Sequence, residues 1–95
     1  MRILDQTFEG EEIRIDFVEF QNCTFKNCTF VYGGYGPIVF VGCNFRQARW
    51  QFVDAAANTL NFMKILYHHF GEQGRLTVEQ TIETLIRSND EINER

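Results

Sequence analysis

Between Ile13 and Trp50 a bulky apolar residue returns at every fifth position: Ile15, Phe20, Phe25, Phe30, Tyr35, Phe40, Phe45 and Trp50. A second series stands two residues before each of these: Ile13, Val18, Cys23, Cys28, Gly33, Ile38, Cys43 and Ala48, apolar or small throughout. An α-helix buries residues with a period of about 3.6 and a flat strand with a period of about 2, so neither accommodates a repeat of five. A fixed repeat of this kind outranks local propensity. If each quintet supplies one short extended side and one corner, four quintets bring the chain back over its starting point. Two positions of each quintet then point inward. The rest, among them Arg14, Asp16, Glu19, Gln21, Asn22, Thr24, Lys26, Asn27, Asn44, Arg46 and Arg49, are mostly polar and suit a solvated exterior. Successive turns of such a coil lie about 4.8 Å apart, the spacing of hydrogen-bonded strands. Residues twenty apart are then expected to stack: Ile15 under Tyr35, Phe20 under Phe40, Phe25 under Phe45, Phe30 under Trp50, Cys23 on Cys43 and Cys28 on Ala48.

The runs Cys23-Thr24-Phe25, Cys28-Thr29-Phe30, Cys43-Asn44-Phe45 and Ala48-Arg49-Trp50 resemble pentapeptide repeats, in which a small residue, a polar residue and a central Leu or Phe precede two variable positions. The resemblance covers roughly forty residues, and it implies a right-handed quadrilateral β-helix. Ile13, Val18 and Ile38 are large for the small position. The quintet Gly33-Gly34-Tyr35-Gly36-Pro37 reads either as one side of the coil or as a protruding loop over residues 31–37. The expected fold class is therefore mainly β with α: about two coils over residues 13–52, then two C-terminal helices.

With 95 residues the chain is expected to be a single domain with one modest core. Two coils make a stub only about 10 Å tall, with unpaired backbone and aromatic rings at both ends. Those ends must be covered by flanking segments or by another copy. Residues 1–12 read as an entry strand or cap, because Asp5 and Gly10 interrupt the bulky series. After Trp50 the repeat fails. Asp54 is an N-cap candidate ahead of Ala55, Ala56 and Ala57, strong helix formers. Leu60, Met63, Leu66, Tyr67 and Phe70 form an apolar stripe, with Phe62 and Ile65 lying off it, and a helix over 54–70 ends at Gly71. Gly71 to Leu76 reads as a turn. Thr77 and Gln80 form a capping box that opens a second helix over 77–88, with Val78, Ile82, Leu85 and Ile86 on one face. Residues 89–95 form a polar tail.

The formal net charge is −4, which argues against direct nucleic-acid binding. The charge is uneven: residues 1–20 carry six acids against two arginines, while residues 21–75 carry five bases against two acids. A basic middle between acidic ends suits an anionic small molecule or head-to-tail pairing of copies. The three cysteines all fall on inward positions and are expected as free thiols in a reducing cytoplasm. No apolar leader opens the chain and no run is long enough for a membrane span. His68 and His69 are adjacent on a helix and cannot converge on one metal, so no metal, cofactor or catalytic residue is expected. Phosphate loops, nucleophile elbows and paired carboxylates are also missing from the sequence.

Three functions are compatible with these features. The first is a non-enzymatic, self-associating interaction module, a homo-oligomer joined through Trp50, Phe62, Ile65 and Tyr67. The second is an oligomeric binder that sequesters an anionic, nucleotide-type ligand at a subunit interface. In it, Tyr32 and Tyr35 stack on a base, Gly33 and Gly34 offer backbone N–H groups, and Arg46 or Arg49 pairs a phosphate. The third follows from the resemblance alone: some pentapeptide-repeat proteins are acidic DNA mimics that inhibit DNA-binding enzymes, a role for which two coils are too short.

Overall fold

The computed structural model describes residues 1–93, with side chains described as far as Arg87. The chain, expected as a single domain, divides into two compact units, Met1–Asn58 and residues 59 onward.

The first unit is a wound stack of parallel strands. β1 (Arg2–Leu4), β2 (Thr7–Glu9) and β3 (Glu12–Arg14) make the first rung. The second rung holds β4 (Glu19–Gln21), β5 (Thr24–Lys26) and β6 (Thr29–Tyr32). The third holds β7 (Val39–Val41), β8 (Asn44–Arg46) and β9 (Arg49–Phe52). They assemble into three sheets ordered β1-β4-β7, β2-β5-β8 and β3-β6-β9, with every pairing parallel. Strands five residues apart therefore form a short β-helix, as the repeat demands.

The aromatic columns fall where the spacing puts them. Phe20 pairs with Phe40, Phe25 with Phe45 and Phe30 with Trp50. Their rings stack at centroid distances of 5.4, 5.3 and 4.6 Å. Around the second rung the rings meet edge-on, Phe20 to Phe25 at 5.2 Å and Phe25 to Phe30 at 4.9 Å. Each such aromatic pair contributes about 0.5–1.5 kcal/mol beyond its area burial. Phe20, Phe25 and Phe30 are 0 % exposed and, with Ile15, Val18, Cys23 and Cys28, form the core.

The coil has three rungs, not two, and residues 1–12 are not a cap. Ile3, Phe8 and Ile13 occupy the central position of their strands and pair with Phe20, Phe25 and Phe30 at an offset of seventeen residues. The second and third rungs are offset by twenty. The difference arises on the way from the third sheet back to the first: four residues, Ile15 to Val18, separate Arg14 from Glu19, but seven, Tyr32 to Ile38, separate their register partners Val31 and Val39. Ile15 consequently does not stack on Tyr35. Its N–H donates to the Val31 carbonyl and its side chain is buried, whereas Tyr35 is exposed.

The corners have a common conformation. Asp5, Gly10, Asn22, Asn27, Gly42 and Gln47, each two residues past a central apolar residue, have φ between 54° and 63°. Glycine reaches that left-handed region without strain, and Asp and Asn enter it more readily than other residues. The N–H of Asp5, Gly10, Asn22 and Asn27 donates across to the next rung, to Gln21, Lys26, Val41 and Arg46 carbonyls. Turning and pairing are thus done by the same residue.

The first unit ends in the opening turn of α1 (Asp54–His69), whose later residues belong to the second unit with α2 (Gly71–Asn93). The Asp54 carboxylate accepts from Arg14, while the Gly33 carbonyl accepts from the Ala56 N–H. Asp54 is therefore not the expected N-cap. α2 begins six residues earlier than Thr77, since the break is made by Gly71 alone at φ 67°. The Thr77 hydroxyl bonds back to the Gln73 carbonyl instead of capping. α2 also runs beyond residue 88; of the expected tail, Glu94 and Arg95 lie outside the described residues. A Cβ on Gly74 would run into the Leu66 carbonyl, so glycine is what lets the elbow between the helices close.

Candidate functional site

Among the described residues, the third rung has a neighbour on one side only. Phe45 lies on Phe25 and Trp50 on Phe30, yet Phe45 is 40 % and Trp50 49 % exposed, against 0 % for the rings one rung below. Val39, Val41 and Phe52 are exposed as well. Each of β7, β8 and β9 pairs with a single strand, so its free edge presents unpaired donors and acceptors beside uncovered rings. An edge of this kind favours addition of another chain. At the opposite end Ile3, Phe8 and Ile13 are half-buried, and β1, β2 and β3 likewise have one partner each.

In the second unit Phe62 and Ile65 are exposed and Tyr67 is at the margin of exposure. Leu60, Phe70, Leu76, Ile82, Leu85 and Ile86 share their exposure. The expected interface residues are thus accessible apolar groups: Trp50 in the first unit and the other three on α1. The surface reaches well beyond the residues singled out from the sequence, and the additional signal is present in the amphipathic face of α2.

The residues expected to hold an anion are differently placed. Gly33, Gly34 and Tyr35 follow β6 directly, and the N–H groups of this segment face a carboxylate. The Gly33 N–H donates to Asp16 Oδ2 at 2.8 Å and the Tyr35 N–H to Asp16 Oδ1 at 2.9 Å. Arg14 stands 3.9 Å from Asp16 and 3.2 Å from Asp54. Residues 33–38 are therefore the long strandless side of the coil, laid along the short one: the Phe17 N–H donates to the Pro37 carbonyl, and the Phe17 ring fills the space a Cβ on Gly36 would need. Tyr32 is half-buried and pairs in register with Phe52. Arg46 ends β8, in the next sheet. Arg49 opens β9 and spends its guanidinium on Asn27 Oδ1 at 2.9 Å and Thr29 Oγ1 at 3.2 Å. The structure brings Tyr32, Gly33, Gly34 and Tyr35 together as one segment and leaves Arg46 and Arg49 at the far ends of other strands.

Loss of water around the Asp16 carboxyl acts to raise its pKa. The N–H donors of Tyr35 and Gly33, the Arg14 charge and the Gly34 N–H outweigh this and hold it below the ordinary 3.8. A carboxyl whose folded pKa is depressed adds stability above its unfolded pKa and loses it as pH falls through the folded one. Asp16→Asn is therefore expected to lower the melting temperature at neutral pH. It should also flatten the fall in melting temperature on acidification below the ordinary carboxylate range, where wild-type Asp16 takes up its proton. Equal acid slopes for the two proteins would show that Asp16 does not clamp the loop.

Cys23, Cys28 and Cys43 are free, and each thiol donates to backbone carbonyls at 3.5–3.6 Å. Cys23 and Cys28 are buried and Cys43 partly so. His68 packs edge-on against Tyr67 at 5.1 Å, in a shallow groove on α1 lined by Asn61, Lys64, Ile65 and His69. Among the described residues no group of three or more His, Cys, Asp or Glu is placed to hold a metal ion, and no helix is long and apolar enough to cross a membrane.

The chain matches no family model, no curated protein and no solved structure.

Proposed function

We propose that this chain is a non-enzymatic interaction module, a short β-helix of pentapeptide-repeat type that works by self-association. The observation that carries the reading is the uncovered third rung. Phe45 and Trp50 continue the aromatic columns of the core yet keep nearly half their surface in water. Burying apolar surface stabilises by about 25 cal/mol per Å², so rings of this size at an open sheet edge favour a partner strongly. The exposed apolar residues of α1 and α2 add to the same tendency. A soluble monomer rarely leaves so much apolar surface uncovered.

Light scattering after size exclusion tests this directly. The expected result at micromolar concentration is a species well above the 11.2 kDa of one chain. A monomer across that range would end the reading.

A further inference from the structure

Resting on that self-association, we propose that copies stack head to tail, the first rung of one chain adding to the third rung of the next, so that all three sheets run on through the junction.

The register within one molecule defines the junction. A first rung laid on a third rung in the same alignment as on its own second rung sets Phe8 over Phe45 and Ile13 over Trp50, closing the two exposed rings with the apolar residues now half-buried at the other end. Because every strand of the coil runs parallel to its neighbours, a head-to-tail junction repeats a pairing the fold already uses. Joining two third rungs face to face would set the strands antiparallel instead.

Charge selects the same junction. The outward column Glu9–Lys26–Arg46 places two like charges on neighbouring strands at its upper end. The next copy would bring its Glu9 over Arg46. In the adjacent sheet, the column Glu12–Thr29–Arg49 would receive Glu12 over Arg49. Opposite charges meet at both places, whereas two third rungs together would join two faces whose strands carry Arg46 and Arg49 and no acid to balance them. Like charges on neighbouring strands are destabilising and opposite ones favourable. The two ends of one molecule are different surfaces, so the association is heterologous and does not close on itself unless the stack curves into a ring.

Charge reversal at each end tests the register, using Arg46→Glu and Glu9→Lys, two exposed sites at strand ends. The readout is weight-average mass against concentration by sedimentation at low ionic strength, with circular dichroism and melting as folding controls. Wild type is expected to grow with concentration past a dimer. Each variant alone should associate about tenfold more weakly or worse. An equimolar mixture should recover wild-type association, because the lysine introduced into one chain then meets the glutamate introduced into the other. The double variant should recover it alone, with the charges exchanged between its two ends. If Arg46→Glu changes association while Glu9→Lys does not, and the mixture shows no recovery, the junction is symmetric and the head-to-tail stack is wrong while self-association stands. Wild-type behaviour in every variant would move the contact away from the coil ends, with the same consequence. A wild type that stays monomeric removes both proposals together.

Discussion

Phe25→Ala is expected to destabilise the coil by about 3–5 kcal/mol, the range for truncating a fully buried aromatic residue. Phe25 stacks between Phe8 at 5.3 Å and Phe45 at 5.3 Å and takes the edges of Phe20 and Phe30. It has an aromatic ring stacked on each of its faces, and the rungs above and below cannot collapse into the gap without breaking their ladders. Against a usual total of about 5–15 kcal/mol for a domain, such a loss is a large share of the whole. Urea denaturation followed by circular dichroism measures it. Phe45→Ala, at the open third rung, should cost roughly half as much, since part of that ring is already in water. A larger loss at Phe45 than at Phe25 would mean that the buried centre of the stack lies elsewhere, or that Phe45 is covered in solution; sizing the two variants separates these.

The second large effect is expected at Gly34. Its φ is 80°, and a Cβ there would lie 2.7 Å from the backbone nitrogen of Ala56. Gly34→Ala combines a left-handed alanine, worth about 1–2 kcal/mol, with overpacking against backbone, worth about 1–3 kcal/mol. Relief requires the opening turn of α1 to withdraw, which breaks the bond from the Ala56 N–H to the Gly33 carbonyl. A loss of about 2–5 kcal/mol is therefore expected, with faster amide exchange at Ala56. Gly10→Ala is the internal comparison: its φ is 63° with nothing near its missing Cβ, so it should show the conformational cost alone. Equal losses at the two glycines would contradict the close approach of α1.

What can be read from the sequence follows from how far the repeat stays unbroken. Phe20 over Phe40, Phe25 over Phe45 and Phe30 over Trp50 need only a constant interval of five and a four-sided turn. The first rung escapes such a reading because extending the interval backwards at constant phase puts Ile3 and Phe8 on the small series. Three residues are missing from the side around Asp16, Phe17 and Val18, and the phase slips there. A usable signal does exist. Asp5, Gly10, Asn22, Asn27, Gly42 and Gln47 follow the central apolar residue by two in all three rungs, and five of these six residues belong to the types that favour a left-handed corner. That series, and not the bulky one, carries the correct phase.

The glycine segment is ambiguous for a different reason. Its N–H groups suggest an external anion, but the acceptor they meet is Asp16, seventeen to nineteen residues away, and nothing in the local sequence announces a partner at that distance. The charge of Arg49 invites a ligand, and its neighbours Asn27 and Thr29 become visible only once the strands are in register. The exposure of Trp50 is foreseeable in kind, since a short coil must have open ends. Its degree depends on what covers the last rung, which no local pattern specifies. On the helices, Gly71 reads correctly as a terminator, but a single left-handed residue suffices to turn the chain, so the six-residue connection expected after it is already helix.

A chain with a uniform period of five has a problem of identity. Slide any rung by one quintet and phenylalanine again meets phenylalanine, so misthreaded windings would differ little in energy from the correct one. The unequal strandless sides remove that degeneracy. One is short by three residues; the other is long, rich in glycine and fastened by the Asp16 carboxylate in a way that no other quintet can imitate. Only one threading lets both sides close, and the least regular part of the coil is what makes its winding unique.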